Sequence, residues 1–470
     1  MTLRLADILR IPLIEARNLG AADNAVRDVV TDSRSAGEGD VFVAFRGARI
    51  DAHDFVPEVC ARGALCCVVE QRWLRRNAAV AEGLPLVVVR DTMAAYGAIA
   101  ALHRAAFDIP LLAITGSNGK TSSKEMTAAA LGTKYRVLAN EGNLNNHIGL
   151  PATLLRITRE HQVVITEMGT NQPGDIAHLC AVARPTHGLI TNIGRAHIEK
   201  LESREGIAKE KKVLLSVLPK GGVAIINADE ALLRGALPRG VRRVRYGTRK
   251  DSDVRIVEAG LDADGRAIVR FEAPAFVRRP FTLRLQALGR HAAYNAAAAL
   301  AAGFVFGCGV KAMTSAIESV ASYDKRLQIA RVRGVTVIDD TYNANPDSVL
   351  AAMDLLQQLE VEGARCVVLG DMLELGAAAR QEHEAIGAAI AAAGIPYVLT
   401  FGRHSRAISR AAQGVARVAM HFTDRQALID AVDALLEEGD AVLVKGSRSM
   451  RMEDVVTQLL RNEYSEEARV

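Results

Sequence analysis

Apolar positions in this chain follow two alternating rhythms. Predominantly apolar or β-branched runs at residues 41–45, 109–114, 163–166 and 189–193 predict strands buried on both faces, as in a parallel sheet. Between them lie stretches with helical spacing, including 122–131, 207–218 and an alanine-rich one running from 289 to 303. Strands and polar turns fill 221–285, and a second alternating series follows, with strands at 335–339, 366–369, 397–401, 418–422 and 441–444. The pattern predicts an α/β protein of three domains. These are a small α/β unit at 1–107, a central unit with a mostly parallel sheet at 108–322, and a doubly wound, Rossmann-like unit at 323–470. At 470 residues the chain is longer than one core can serve.

The central unit opens with the most informative stretch. Its first strand breaks at Gly116-Ser117-Asn118-Gly119-Lys120-Thr121-Ser122, and a helix is predicted from Ser122. Strand, glycine turn and helix start, in that order, form a phosphate cradle. Backbone N–H groups and the helix dipole attract the anion, Lys120 adds a point charge, and the Thr121 hydroxyl is placed for a nucleotide's Mg²⁺. The common form of this loop has its first glycine five residues before Gly119, where this chain has Ile114; only two residues separate the glycines here. No Gly-x-Gly-x-x-Gly follows any strand, which disfavours a dinucleotide.

Composition narrows the class. Hydrophobic residues make up 49% and charged residues 24%, the balance of an ordinary globular enzyme. A net charge of +4 is too small to argue for nucleic acid. No apolar run is long enough for a membrane span, and an early Asp7 argues against a signal peptide, so a cytoplasmic protein is expected. The six cysteines lack metal-ligand spacing and read as free thiols.

Polar residues collect at predicted strand ends, where α/β sheets place ligands. Asn143, Asn145, Asn146 and His147 form a binding loop or a solvated turn. Glu167 and His197 follow two strands expected to be neighbours, and converge with Thr121 as Mg²⁺ ligands. His291 and Asn295, four apart, share one helical face or simply a polar first turn. Asp339-Asp340-Thr341-Tyr342-Asn343-Ala344-Asn345-Pro346 and the segment 370–376 mark one edge of the last sheet; Asp371 and Glu374 there read as ligand-facing or as a cap and a solvated charge. In the first unit, Ser33 and Arg34 either hold a phosphate or make a capped turn with a surface arginine.

The short glycine loop, the Asp339–Ser348 segment and the segment 370–376 resemble the Mur ligase family of ATP-dependent amide ligases along almost the whole chain. Within it they are similar to members that add D-alanyl-D-alanine to UDP-N-acetylmuramoyl-tripeptide, and the diamino-acid motif of the preceding ligase is absent. The resemblance implies a monomeric enzyme that makes an acyl phosphate from ATP with two Mg²⁺ ions. It implies that Ser33, Arg34, Gly47, Asp51 and His53 face the UDP-sugar, and that His291 and Asn295 lie by the ATP base. By the same resemblance Arg326 reaches the γ-phosphate, Asp340 lies on the ribose side, and Asn143, Asn146, Tyr342, Asn343 and Asn345 contact the substrates. A folate or poly-amino-acid ligase of the same fold should lack the first unit's pattern, and a nucleotide-gated binding protein has no need of Glu167 and His197.

Lys211 stands apart. The helix at 207–218 has an apolar stripe of Ile207, Leu214, Leu215 and Leu218, and Lys211 occupies its missing position, whereas Lys209 and Lys212 point elsewhere. A buried amine has a lowered pKa and can combine with CO₂, giving a carbamate suited to Mg²⁺. Several Mur ligases carry such a lysine at the matching place; the alternative is a lysine that snorkels to solvent.

Overall fold

The computed structural model describes residues 1–321 and 325–467, the side chains beyond residue 461 excepted. The expected boundary at 322/323 falls outside the described residues. Three sheets are present, all mixed and mostly parallel. The first holds β1 (Glu15–Arg17), β2 (Val29–Val30), β3 (Val41–Val43), β4 (Cys66–Glu70) and β5 (Leu86–Val89) in the order β1-β5-β4-β3-β2, with only β1 antiparallel.

The second sheet has nine strands. β6 (Leu111–Thr115), β7 (Val137–Ala139), β8 (Val163–Glu167), β9 (His187–Ile190), β10 (Val223–Asn227), β11 (Arg242–Gly247) and β12 (Val254–Leu261) run parallel, and β13 (Arg266–Ala273) and β14 (Val277–Leu288) extend it as an antiparallel meander. The order is β14-β13-β12-β11-β10-β9-β6-β8-β7, so β6 lies between β8 and β9. Every residue of β6 and β8 is buried, which explains why both are apolar up to their last one or two residues at the site edge. The third sheet is β15 (Gln328–Val332), β16 (Val335–Asp340), β17 (Arg365–Gly370), β18 (Tyr397–Phe401), β19 (Val418–Phe422) and β20 (Ala441–Lys445), ordered β15-β16-β20-β17-β18-β19 with only β15 antiparallel.

The units are joined differently. One apolar cluster runs without a break from Val41, Val68 and Val87 of the first sheet, through Ile99, to Leu111 and Ile226 of the second and Leu150 of the helix packed on it. The third unit packs both faces of its own sheet, and Leu261 and Leu288 of the second unit enter the cluster that holds Leu355 and Leu359. The alanine-rich helix Ala292–Val305 lies in the other core of the second sheet, where its small side chains permit close approach to helix Lys120–Gly132.

Candidate active site

The phosphate loop leaves the central strand β6 and enters helix Lys120–Gly132, which starts two residues earlier than its apolar spacing indicates. Gly116 lies against Thr191, and a side chain there would collide with that hydroxyl; Gly119 has φ 75° and faces the Asn295 amide oxygen. The segment after β9 fastens the loop. Asn118 N–H donates to Asn192 Oδ1 (2.9 Å), Thr191 Oγ1 donates to Asn118 O (2.6 Å), and Ser117 Oγ donates to Gly194 O (3.2 Å). Lys120 Nζ folds back onto the Gly116 and Ser117 carbonyls at 2.9 and 3.3 Å. Its pKa is lowered by burial, with the Glu167 charge opposing and Arg326 adding to the fall.

Glu167, 2% exposed, ends β8 with both carboxylate oxygens engaged. Thr121 Oγ1 donates to Oε2 at 2.8 Å, and Asn145 Nδ2 donates to Oε1 at 2.7 Å. The expectation that Glu167 and His197 follow neighbouring strands is corrected: β8 and β9 flank β6 on opposite sides, so the two residues bracket the loop. His197 sits seven residues beyond β9 at φ 59°, heading helix Ile198–Leu201, and its Nδ1 meets the carboxylate of Glu374, a solvent-exposed charge that reaches back to the site. Asp371 is a cap, accepting from the Arg403, His404 and Ser405 N–H groups. Among the described residues, no three His, Cys, Asp or Glu side chains are grouped to hold a metal by themselves.

Lys211 lies on helix Arg204–Ser216 and is 2% exposed, while Lys209 is exposed and Lys212 half-buried. Among the described residues its ammonium has no hydrogen-bond or ion-pair partner. The adjacent Glu210 spends its carboxylate on the N–H groups of Gly174 and Ile176, both at 2.8 Å, at the start of helix Asp175–Ala183. Burial, and then the Lys120 charge, hold the Lys211 pKa well below the ordinary ammonium range, with Glu210 partly opposing.

A cavity of about 920 Å³ joins the loop, Glu167 and His197 to the third unit, lined among others by Ser117, Lys120, Ser122, Asn143, Arg326 and Tyr342; Lys211 lies outside its lining. The Arg326 guanidinium stacks 4.0 Å from the Tyr342 ring, and its Nε is buried without a partner among the described residues. A smaller recess of about 300 Å³ beside the loop is lined by Gly119, Asn227, Asp229, His291, Tyr294 and Asn295. His291 holds the N-cap position of helix Ala292–Val305 with helical backbone angles (φ −63°, ψ −22°), and it and Asn295, one turn on, both line this recess.

Several expected ligand contacts are already committed within the protein. Asp340 pairs with Lys445 and accepts from Leu327 N–H at 3.3 Å. Asn343 gives its carbonyl to Lys445 (2.8 Å), and Asn146 caps the following helix through Ile148 and Gly149 N–H. Asn345 caps helix Pro346–Gln358, and its amide also pairs with the Asn118 amide at 2.7 and 3.4 Å. In the first unit, Ser33, Arg34, Gly47, Asp51 and His53 lie outside the cavity lining. Arg34 grips Asp32 (Nη2–Oδ2 2.6 Å), which holds that carboxyl near about 2, and the Ser33 carbonyl accepts from Arg62. Gly47 N–H closes a turn on Ile50 O at 2.9 Å, and Asp51 bonds Arg46 (3.1 Å).

His53 departs most from expectation. It is fully buried, accepts the Glu70 N–H at Nε2 (3.0 Å) and therefore donates from Nδ1 to Asp51 (2.6 Å), leaving nothing for a ligand. Conversely, Asn192 and Arg195 stand in a segment singled out from sequence without a role expected of either, and with Asn145 of the polar loop they tie the loop, Glu167 and the third unit together.

The profile of the Mur ligase middle domain matches residues 114–303, and that of the Mur ligase glutamate ligase domain matches 325–448. The UDP-N-acetylmuramoyl-tripeptide–D-alanyl-D-alanine ligase of Escherichia coli K12 is 38% identical, over 94% of this chain and 96% of its own length. The enzyme of that name from Bacillus subtilis is 34% identical over 94% of each. The crystal structure of MurF ligase from Thermotoga maritima in complex with ADP superposes with a TM-score of 0.83, covering 96% of this chain and all of that one at 27% identity. Likeness of this extent, in sequence and in the course of the backbone alike, is that of common descent: the chain belongs to the Mur ligase family.

Proposed function

We propose that the chain is an ADP-forming amide ligase that joins D-alanyl-D-alanine to UDP-N-acetylmuramoyl-tripeptide through an acyl phosphate. The step belongs to cytoplasmic peptidoglycan-precursor synthesis and is carried out by a monomer. The observation that carries this reading is that a phosphate cradle and the Arg326–Tyr342 pair of the third unit line one cavity, with room for a nucleotide and a second reactant. The relatives of the same length support the choice of substrates.

In the first half-reaction the tripeptide's terminal carboxylate attacks the γ-phosphorus of ATP, and ADP leaves. Lys120 exchanges its loop carbonyls for phosphate oxygens, Arg326 faces the γ-phosphate, and the recess with His291 and Asn295 takes the base. In the second, the dipeptide amine attacks the acyl carbon and phosphate departs; Tyr342 and Asn343 line the side from which the amine comes.

Magnesium, when bound with the nucleotide, neutralises charge on the phosphate oxygens. Thr121, Glu167 and His197 through Nε2 would hold two ions together with Lys211 as a carbamate. The donors fit: a hydroxyl and a carboxylate share a hydrogen bond, and a buried amine stands unpaired close enough to Lys120 to feel its charge. Ser33, Arg34, Gly47 and Asp51 take the UDP group in a domain of residues 1–107, with His53 as support, and the other two domains divide at 322/323.

Phosphate release with ATP, Mg²⁺, UDP-N-acetylmuramoyl-tripeptide and D-alanyl-D-alanine is the test. Release should need both partners and fail with single amino acids; efficient turnover with free diaminopimelate or lysine would overturn the assignment.

A further inference from the structure

The second and third units meet along two rims of unlike chemistry. On one rim, Leu261 and Leu288 pack with Leu355 and Leu359. Contacts of this kind are non-directional and tolerate a change of angle. On the other rim the contacts are ionic and directional. Arg195 follows β9 between the loop-fastening Asn192 and the His197 that meets Glu374. Its Nε and Nη2 donate to Asp347 Oδ1 at 3.0 and 2.8 Å, its backbone N–H donates to Asp347 Oδ2 at 2.7 Å, and its Nη1 donates to Glu382 Oε2 at 2.9 Å. The guanidinium is thus shared by two helices of the third unit, Pro346–Gln358 and Ala379–Ala392.

We propose that Arg195 is a positioning residue that clamps the third unit over the phosphate loop through Asp347 and Glu382. Three features support this. The clamp sits beside the Asn118–Asn345 amide pair, so it fixes the start of helix Pro346–Gln358 against the loop itself. Arg326 and Tyr342 ride on the clamped unit and reach the cavity only while it is held there. Asp347, part of the segment that distinguished the sequence, has no other partner among the described residues and lies in a helix's first turn, where its charge is welcome. One guanidinium between two carboxylates, partly shielded from water, is also a stronger tie than an exposed pair.

The inference rests on the ligase reading only for its kinetic arm. The experiment compares full-length wild type, Arg195→Ala, Arg195→Lys and Glu382→Gln by small-angle scattering and steady-state kinetics. Arg195→Ala should have a larger radius of gyration and a KM for the dipeptide raised at least tenfold, with the dissociation constant for the UDP-substrate within twofold of wild type. Arg195→Lys should recover only part of the loss, since one ammonium cannot fork between two carboxylates. Unchanged scattering, or an unchanged dipeptide KM, overturns the clamp. If Arg195→Ala fails to fold, Glu382→Gln, which keeps the Asp347 contacts, is judged by the same two readings. A wild type that releases no phosphate with the dipeptide overturns the ligase reading instead, and the scattering still decides the clamp.

Discussion

Polar side chains of the 32–53 segment and those of the central cavity live under opposite conditions. In the first, charges and rings are satisfied close at hand: Arg34 by Asp32, Asp51 by Arg46 and His53, and His53 at both nitrogens. In the second, Arg326 Nε is buried without a partner among the described residues and Lys120 leans on main-chain carbonyls, and just outside the lining Lys211 has no partner among the described residues either. Buried basic groups without partners are costly to keep charged, so the cavity favours anions, while the polar groups of the segment are satisfied with nothing bound. Loss of a cavity residue should therefore cost turnover, whereas loss of His53, whose ring is spent on Glu70 and Asp51, should cost stability.

The sharpest way to break that contrast is Lys211→Ala. Turnover should fall by more than about 10³-fold, beyond the loss of one oxyanion donor, short carboxylic acids should restore part of it, and Lys209→Ala should be nearly silent. A fully active variant erases the contrast. Lys120→Ala comes next, with turnover down about 10²- to 10³-fold and calorimetric affinity for the UDP-substrate preserved; a collapse of that affinity would mean that the two regions are not separate.

On the other side, His53→Ala should lower stability in urea unfolding by about 1–3 kcal/mol, because the Glu70 N–H and the Asp51 carboxylate lose a shared partner. Its effect on kcat should stay within a few-fold. The smallest effect concerns pH. Lys211 has a folded pKa below its unfolded value near 10.5, so the unfolded chain binds the extra proton and burial is penalised most at low pH. The penalty fades as pH rises through the depressed value toward 10.5. The thermal stability advantage of Lys211→Met over wild type should therefore narrow between pH 7 and 10, and a gap that widens would refute a neutral buried amine.

Sequence revealed whatever depended on near neighbours. The strand-loop-helix cradle is a local grammar, and Lys211 betrayed itself by interrupting a 3.6-residue stripe. At His53 the family resemblance suggested a ligand contact, yet a polar turn can point its side chains at itself as readily as at a ligand. Within 143–147 nothing in the string favours Asn145 over Asn146; only the fold sends one to Glu167 and the other to a helix cap. Arg195 and Asp347 are separated by 152 positions, and their pairing depends on how whole units dock.

The leucines that Leu261 and Leu288 lend to the third unit bear on how the protein is made. A chain leaves the ribosome N-terminus first, so this apolar ledge is finished before helix Pro346–Gln358 emerges to settle on it. Synthesis thus proceeds like masonry, each course laid on a set one. A gene cut ahead of residue 325 yields a last piece whose Leu355 and Leu359 have lost that cover, a piece that clumps when made alone and stays in solution when the ledge is produced beside it.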